Sequence, residues 1–317
     1  HRMYLATALV MAGFVLVARG VAARMLRVSQ QPTVLCGGFV CIVGAVISLL
    51  GWRTHLRNQD YRDDLRLWKT AVDVSPKNPR AWYQIGAEYF NRGEKGKALQ
   101  PMLKAVGFSN TSVPKFDAGL ADCLNHIGRV DDAITLYERA LCKKPKFKKA
   151  LNNLGVIYLD RGQLGEAREF FQAAADLGHA ESIYNLGWLH FKEGRTSSAI
   201  PYFQQALRAD PELHTAARRL AWIYATSENE KIRNVQQAES LLTQHYDLNS
   251  TTSPSVLDTA AAIQAALGHF EAAMTLAESA LKLSLQREMP DEEFVANMRL
   301  RITGYENGTP WRDESQP

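Results

Sequence analysis

Glycines at 93, 128, 162 and 194 are spaced 35, 34 and 32 residues apart, each between two apolar-patterned runs of helical length. This period constrains the chain more than any other feature. A unit of that size cannot bury its own apolar face, so it is stable only when stacked on copies of itself. The frame around each glycine also recurs. WYQIGAEY at 82–89 precedes Gly93, Ala98 and Ala105. Leu120, Ala121 and Leu124 precede Gly128, Ala133, Tyr137, Ala140 and Pro145. Leu154, Gly155 and Tyr158 precede Gly162, Ala167, Phe171 and Ala174. Leu186 and Gly187 precede Gly194, Ala199, Phe203, Ala206 and Pro211. The small residues mark close helix approach. The glycines suit left-handed caps closing the first helix of each unit, and Pro145 and Pro211 end second helices.

Two divergent units continue the frame. Leu220, Ala221 and Tyr224 begin a fifth, whose turn is lengthened to TSENEKIRN before Ala238. Gly268, Ala273 and Ala280 lie in a sixth. The units run 79–112, 114–147, 148–179, 180–213, 214–252 and 254–285. Upstream, residues 53–78 contain Trp68, Ala71 and Pro76, which match a second helix lacking its first: a capping half-unit at the junction. Residues 286–317 are read as a last helix over 291–305, a turn at Asn307–Pro310 and a loose end. The pattern W-x2-L-G-x2-Y with the 34-residue period resembles the tetratricopeptide repeat (TPR). The fold expected is therefore all-α, a right-handed superhelical solenoid of helix pairs.

The first 52 residues have a different character. Thr33–Trp52 is 20 residues without a charge, which as a helix of about 30 Å matches a bilayer core. Tyr4–Ala18 is a second apolar run that extends to residue 23 through Arg19, an arginine able to snorkel. The two runs, about 4–23 and 33–52, are expected to form a transmembrane hairpin with Tyr4 and Trp52 at one interface. The chain has 37 Lys+Arg against 33 Asp+Glu, a net charge of +4. Arg2, Arg19, Arg24 and Arg27 occupy the first 52 residues with no acid, leaving 33 against 33 in the remainder. The solenoid is electrically balanced, which argues against a nucleic-acid partner.

No HExxH, P-loop, GxSxG or GxGxxG occurs, and the eight histidines lack metal-ligand spacing. No catalytic residue, metal site or cofactor is expected, and the chain itself is read as non-enzymatic. The first helices of such a solenoid present a concave groove. Counting from the small residue in each first helix places Tyr83 and Phe90 on that face in the first unit. Asn125, Asn152, and then Tyr184 with Trp188 follow in the next three. Arg218 and Trp222 do so in the fifth. Trp188 and Trp222 hold equivalent places in successive units. Aromatics with arginine and asparagine suit an extended protein or peptide partner, or a stacked sugar. Tyr83 and Ala87 stand where chaperone-binding TPRs carry the Lys and Asn of a carboxylate clamp, so that clamp is absent.

A second resemblance rests on particular stretches. RTHLRNQDYRDDLRLWKTAVDVSPKNPRAWYQIG at 53–86, directly after an apolar run, resembles the junction in membrane O-mannosyltransferase-like proteins that carry C-terminal TPRs, and in their bacterial relatives. HRMYL at 1–5, the stretches 220–241 and 257–281, and TGYENGTPWRDE near the end are similar to that family's motifs. The resemblance implies that the chain is the C-terminal, acceptor-recognising part of a membrane glycosyltransferase. The acidic catalytic loop would lie upstream, and a glycan or a glycosylation acceptor would be a partner. It further implies that the TPRs lie outside the cytoplasm, and the uneven repeats without eukaryotic targeting features lead to the expectation of a bacterial inner membrane.

Overall fold

In the computed structural model, the structure describes residues 46, 48, 49, 52, 64–287 and 289–313. The expected transmembrane hairpin therefore lies outside the described residues, apart from Val46, Ser48, Leu49 and Trp52, which are helical. Among the described residues no helix is long and apolar enough to cross a membrane.

Fourteen helices follow among the described residues, with no strand. They are α1 (Asp64–Val74), α2 (Pro79–Asn91), α3 (Lys95–Phe108), α4 (Pro114–His126), α5 (Val130–Lys143), α6 (Lys148–Asp160) and α7 (Leu164–Ala175). Then come α8 (Ala180–Lys192), α9 (Thr196–Ala209), α10 (His214–Thr226), α11 (Val235–His245), α12 (Pro254–Ala266), α13 (Phe270–Leu285) and α14 (Glu292–Glu306). They fall into two compact units, residues 1–108 and 109–317.

In the first unit, α1 lies on α2. Leu65 and Val72 bury against Ala81 and Ile85, flanked by Trp68, Trp82 and Tyr89. Asn78 caps α2 by accepting from the backbone N–H of Arg80 and Ala81 at 3.1 and 3.3 Å, ahead of a proline at the first helical position. The pair α2/α3 closes over Gly86, where an added Cβ would come within 2.8 Å of Met102 Cγ.

In the second unit the pairs are α4/α5, α6/α7, α8/α9, α10/α11 and α12/α13, with α14 packed on α13. The in-frame alanines 133, 167, 199, 238 and 273 are all fully buried. Gly155 and Gly187 each face a phenylalanine of the paired helix. A Cβ at Gly155 would lie 2.6 Å from the Phe171 ring, and one at Gly187 2.9 Å from that of Phe203. The small residue and the aromatic are therefore two halves of one contact. The helix-ending glycines adopt the left-handed conformation expected of them, as at Gly162 with φ 73°. The fifth unit has no such glycine. Its long turn is held instead by Asn234, whose N–H donates to the Tyr224 carbonyl at 2.9 Å and whose side chain caps α11 at Gln237.

Residues 311–313 fold back onto α10: Asp313 N–H donates to the Thr226 carbonyl at 3.0 Å and forms a parallel bridge with Ser227. The loose end expected of the final residues otherwise falls on 314–317, outside the described residues. Trp311 also packs against the apolar cluster around Met298 and Tyr305.

Candidate functional site

The second unit contains a cleft of about 460 Å³ walled by the C-terminal part of α8, α10, the start of α12, α14 and the returning chain end. Three of the residues singled out from sequence, Trp188, Arg218 and Trp222, line it. Their surroundings differ sharply.

Trp188 is half-buried. Its indole stacks on Phe191, with ring centroids 5.9 Å apart. The Arg219 guanidinium lies 4.4 Å from the Trp188 centroid and 5.3 Å from that of Phe191, and Lys192 Nζ lies 5.0 Å from Trp188. A cation over an indole face is favourable, more so when partly desolvated. Burial draws the Arg219 guanidinium down from its ordinary value, and Tyr184 opposes this through its hydroxyl.

Trp222 is only 5% exposed. Its indole N–H donates to Asp313 Oδ2 at 2.6 Å. Arg301 from α14 stacks between Trp222 and Trp311, 4.6 and 5.0 Å from the two rings, and donates to Asp258 Oδ2 of α12 at 2.6 Å. Burial pushes the Asp258 carboxyl above its usual range, and Arg301 draws it back only in part. Trp222 is thus a wall of the cleft already engaged by the chain's own end, whereas Trp188 is its open face.

The remaining sequence-picked residues lie elsewhere. Tyr184 is tilted against Phe203 at 5.4 Å. Asn152 is buried and accepts from Ser182 Oγ at 2.9 Å and Asn185 Nδ2 at 3.1 Å, tying α6 to α8. Asn125 is half-buried in the last turn of α4. Tyr83 and Phe90 belong to the first unit, where Lys95 Nζ stands 5.4 Å over the Phe90 ring. Sequence reasoning missed Arg219, Asp258, Arg301, Trp311 and Asp313. Arg219 could have been found by counting two residues, rather than three, before the small residue of α10. The others carry no periodic signal, because they come from the divergent sixth unit and the chain end.

Among the described residues no group of three or more His, Cys, Asp or Glu is placed to hold a metal ion.

Three family models, each described as tetratricopeptide repeat, match residues 53–113 with 184–248, 118–149 and 149–212, together more than half of the chain. The chain belongs to the tetratricopeptide repeat family. It is similar to the human protein O-mannosyl-transferase TMTC3, 24% identical over 194 residues, covering 55% of this chain and 21% of that protein. It is similar also to the bovine BBSome complex member BBS4, 23% identical over 163 residues, covering 51% of this chain and 31% of that protein. The matches thus span a third or less of these two relatives. Pseudomonas aeruginosa PilF shares the fold with a TM-score of 0.55 at 20% identity, covering 70% of this chain and 96% of that one.

Proposed function

We propose that the chain is a membrane-anchored TPR scaffold whose second unit binds an extended peptide segment of a partner protein in the cleft between α8, α10 and α14. The observation that carries this is the half-exposed Trp188–Phe191–Arg219 stack. It is a rigid, amphipathic surface of the kind that dominates binding energy at protein interfaces. TPR solenoids act by presenting such surfaces. Peptides selected on the full chain from a displayed nonapeptide library should lose about thirtyfold in affinity on Trp188→Ala. Unchanged affinity, or a library that returns no binder, sinks the assignment.

The anchor is residues 1–52, on the strength of the uncharged 20-residue run at 33–52. The full chain should remain in the membrane pellet after alkaline carbonate extraction, and removal of residues 1–52 should release it. Release of the intact chain would count against the anchor.

A second reading is favoured by the 53–86 junction and by the likeness to a protein O-mannosyl-transferase. The scaffold would then be the acceptor-recognition arm of a membrane glycosyltransferase, and the bound segment its glycosylation acceptor. Several further membrane spans encoded immediately upstream would support that reading, and a start codon directly before His1 would remove it.

A further inference from the structure

Two arginines of the cleft occupy parallel settings. Arg301 lies over two indoles, those of Trp222 and Trp311, and one of its terminal N–H groups donates to Asp258 Oδ2 at 2.6 Å. Arg219 is likewise held over aromatic faces, those of Trp188 and Phe191. No carboxylate of the described residues makes an ion pair with it. Asp313, the carboxylate that acts on it through space, is held by the Trp222 indole. Stacking fixes the plane of a guanidinium and leaves its donors at the edge, where they match a carboxylate with two parallel hydrogen bonds. The fold has therefore built one arginine–aromatic–carboxylate assembly, joined by a single hydrogen bond, and a second without its acid.

The charges around the second assembly favour an anionic partner at this point alone. Lys192 and Arg218 flank Arg219 on the α8 and α10 side. Lys192 and Arg218 are likewise outside any ion pair among the described residues. Burial raises the Tyr246 hydroxyl above its ordinary value and Arg218 partly offsets this, so that the group Arg218 acts on is uncharged. Across the cleft, Asp291 and Glu293 at the start of α14 form an acidic edge. A uniformly acidic chain would be repelled there, whereas a segment with one acid placed over α8/α10 would not. The chain's own end shows the mode of binding. It is an extended segment paired to the α10 carbonyl edge, with an aromatic on one arginine and an aspartate on an indole N–H.

We infer that Arg219, seated on Trp188 and Phe191, takes the side-chain carboxylate of an Asp or Glu in an extended peptide segment laid along α8 and α10. This rests on the peptide-binding assignment of the same cleft and specifies what that cleft selects. The test uses the full chain and degenerate fluorescent nonapeptide pools with Glu, Gln or Lys fixed at the centre. Each pool is made with a free and with an amidated C-terminus. The Glu pool should bind about tenfold more tightly than the Gln pool, with Lys weakest, whichever terminus is present. Arg219→Gln should abolish the Glu preference, and Arg219→Lys should keep part of it, since the charge remains and the planar fork is lost. A melting curve for each variant separates loss of selectivity from loss of fold, and Arg219→Lys is the variant that decides if the glutamine protein unfolds. Equal binding of the Glu and Gln pools, lost in Trp188→Ala, would overturn the inference and leave the peptide cleft standing. A preference for the free over the amidated terminus, whatever the central residue, would overturn it in favour of a terminal carboxylate. Failure of every pool to bind would overturn both.

Discussion

Replacing Arg301 with alanine is expected to cost about 3–5 kcal/mol of folding stability, because it strands a buried carboxylate. Asp258 is 6% exposed and Arg301 9% exposed, so the intact pair is largely shielded from water. The same change removes the cation between Trp222 and Trp311. Burial already holds the Asp258 carboxyl above its usual range with Arg301 present, and without it the acid would be driven further toward its neutral form. The sign follows. The variant should recover stability as the solution is acidified toward the raised Asp258 value, because a neutral acid is less costly to bury. The double variant Asp258→Asn with Arg301→Met should be more stable than Arg301→Ala alone at neutral pH. Denaturant titration of the full chain and its variants measures this. A cost below about 1 kcal/mol for Arg301→Ala would show that the pair is in effect solvated.

The second large effect lies at the contact of Gly155 with Phe171. Phe171 is fully buried, and Phe171→Ala should cost about 3–5 kcal/mol through lost transfer energy and the cavity left behind. Gly155→Ala should cost about 1–3 kcal/mol for the opposite reason, since its new methyl would stand 2.6 Å from the ring. The two defects compensate in space. In the double variant the methyl enters the volume vacated by the ring, so its cost should fall well short of the sum of the singles. Additive costs would mean that the helices had already moved apart in one of the single variants.

These two sites also show what could be read from sequence and what could not. The Gly155–Phe171 contact was legible because the frame repeats it: Gly187 with Phe203 is the same pair one unit later. A requirement imposed by packing at fixed spacing leaves a periodic trace, so the helix order, the left-handed glycines and the buried alanines could all be anticipated. Trp188 was legible for the same reason. The Arg301–Asp258 pair was not, because its members are 43 residues apart and neither belongs to the repeating frame. Nor was the engagement of Trp222. Position placed it in the groove beside Trp188, but no local pattern announced that the chain end would return to it. Arg219 falls between these cases. It lies next to a residue chosen by the counting rule and was passed over because that rule assumes an ideal helix face.

The return of the chain end to α10 changes how this solenoid comes apart. An ordinary repeat array is a linear stack in which each member answers only to its neighbours, so the last can peel away while the rest persist. Here the Trp222–Asp313 hydrogen bond joins residues 91 positions apart, enclosing the end of α10, α11, the sixth helix pair and α14 in one loop. Opening that loop at its clasp releases chain entropy only once the enclosed helices also separate. The C-terminal third is therefore expected to melt as a single cooperative block rather than as a fraying edge, and the walls of the cleft given by α10, α12, α14 and the chain end belong to that block, while α8 does not.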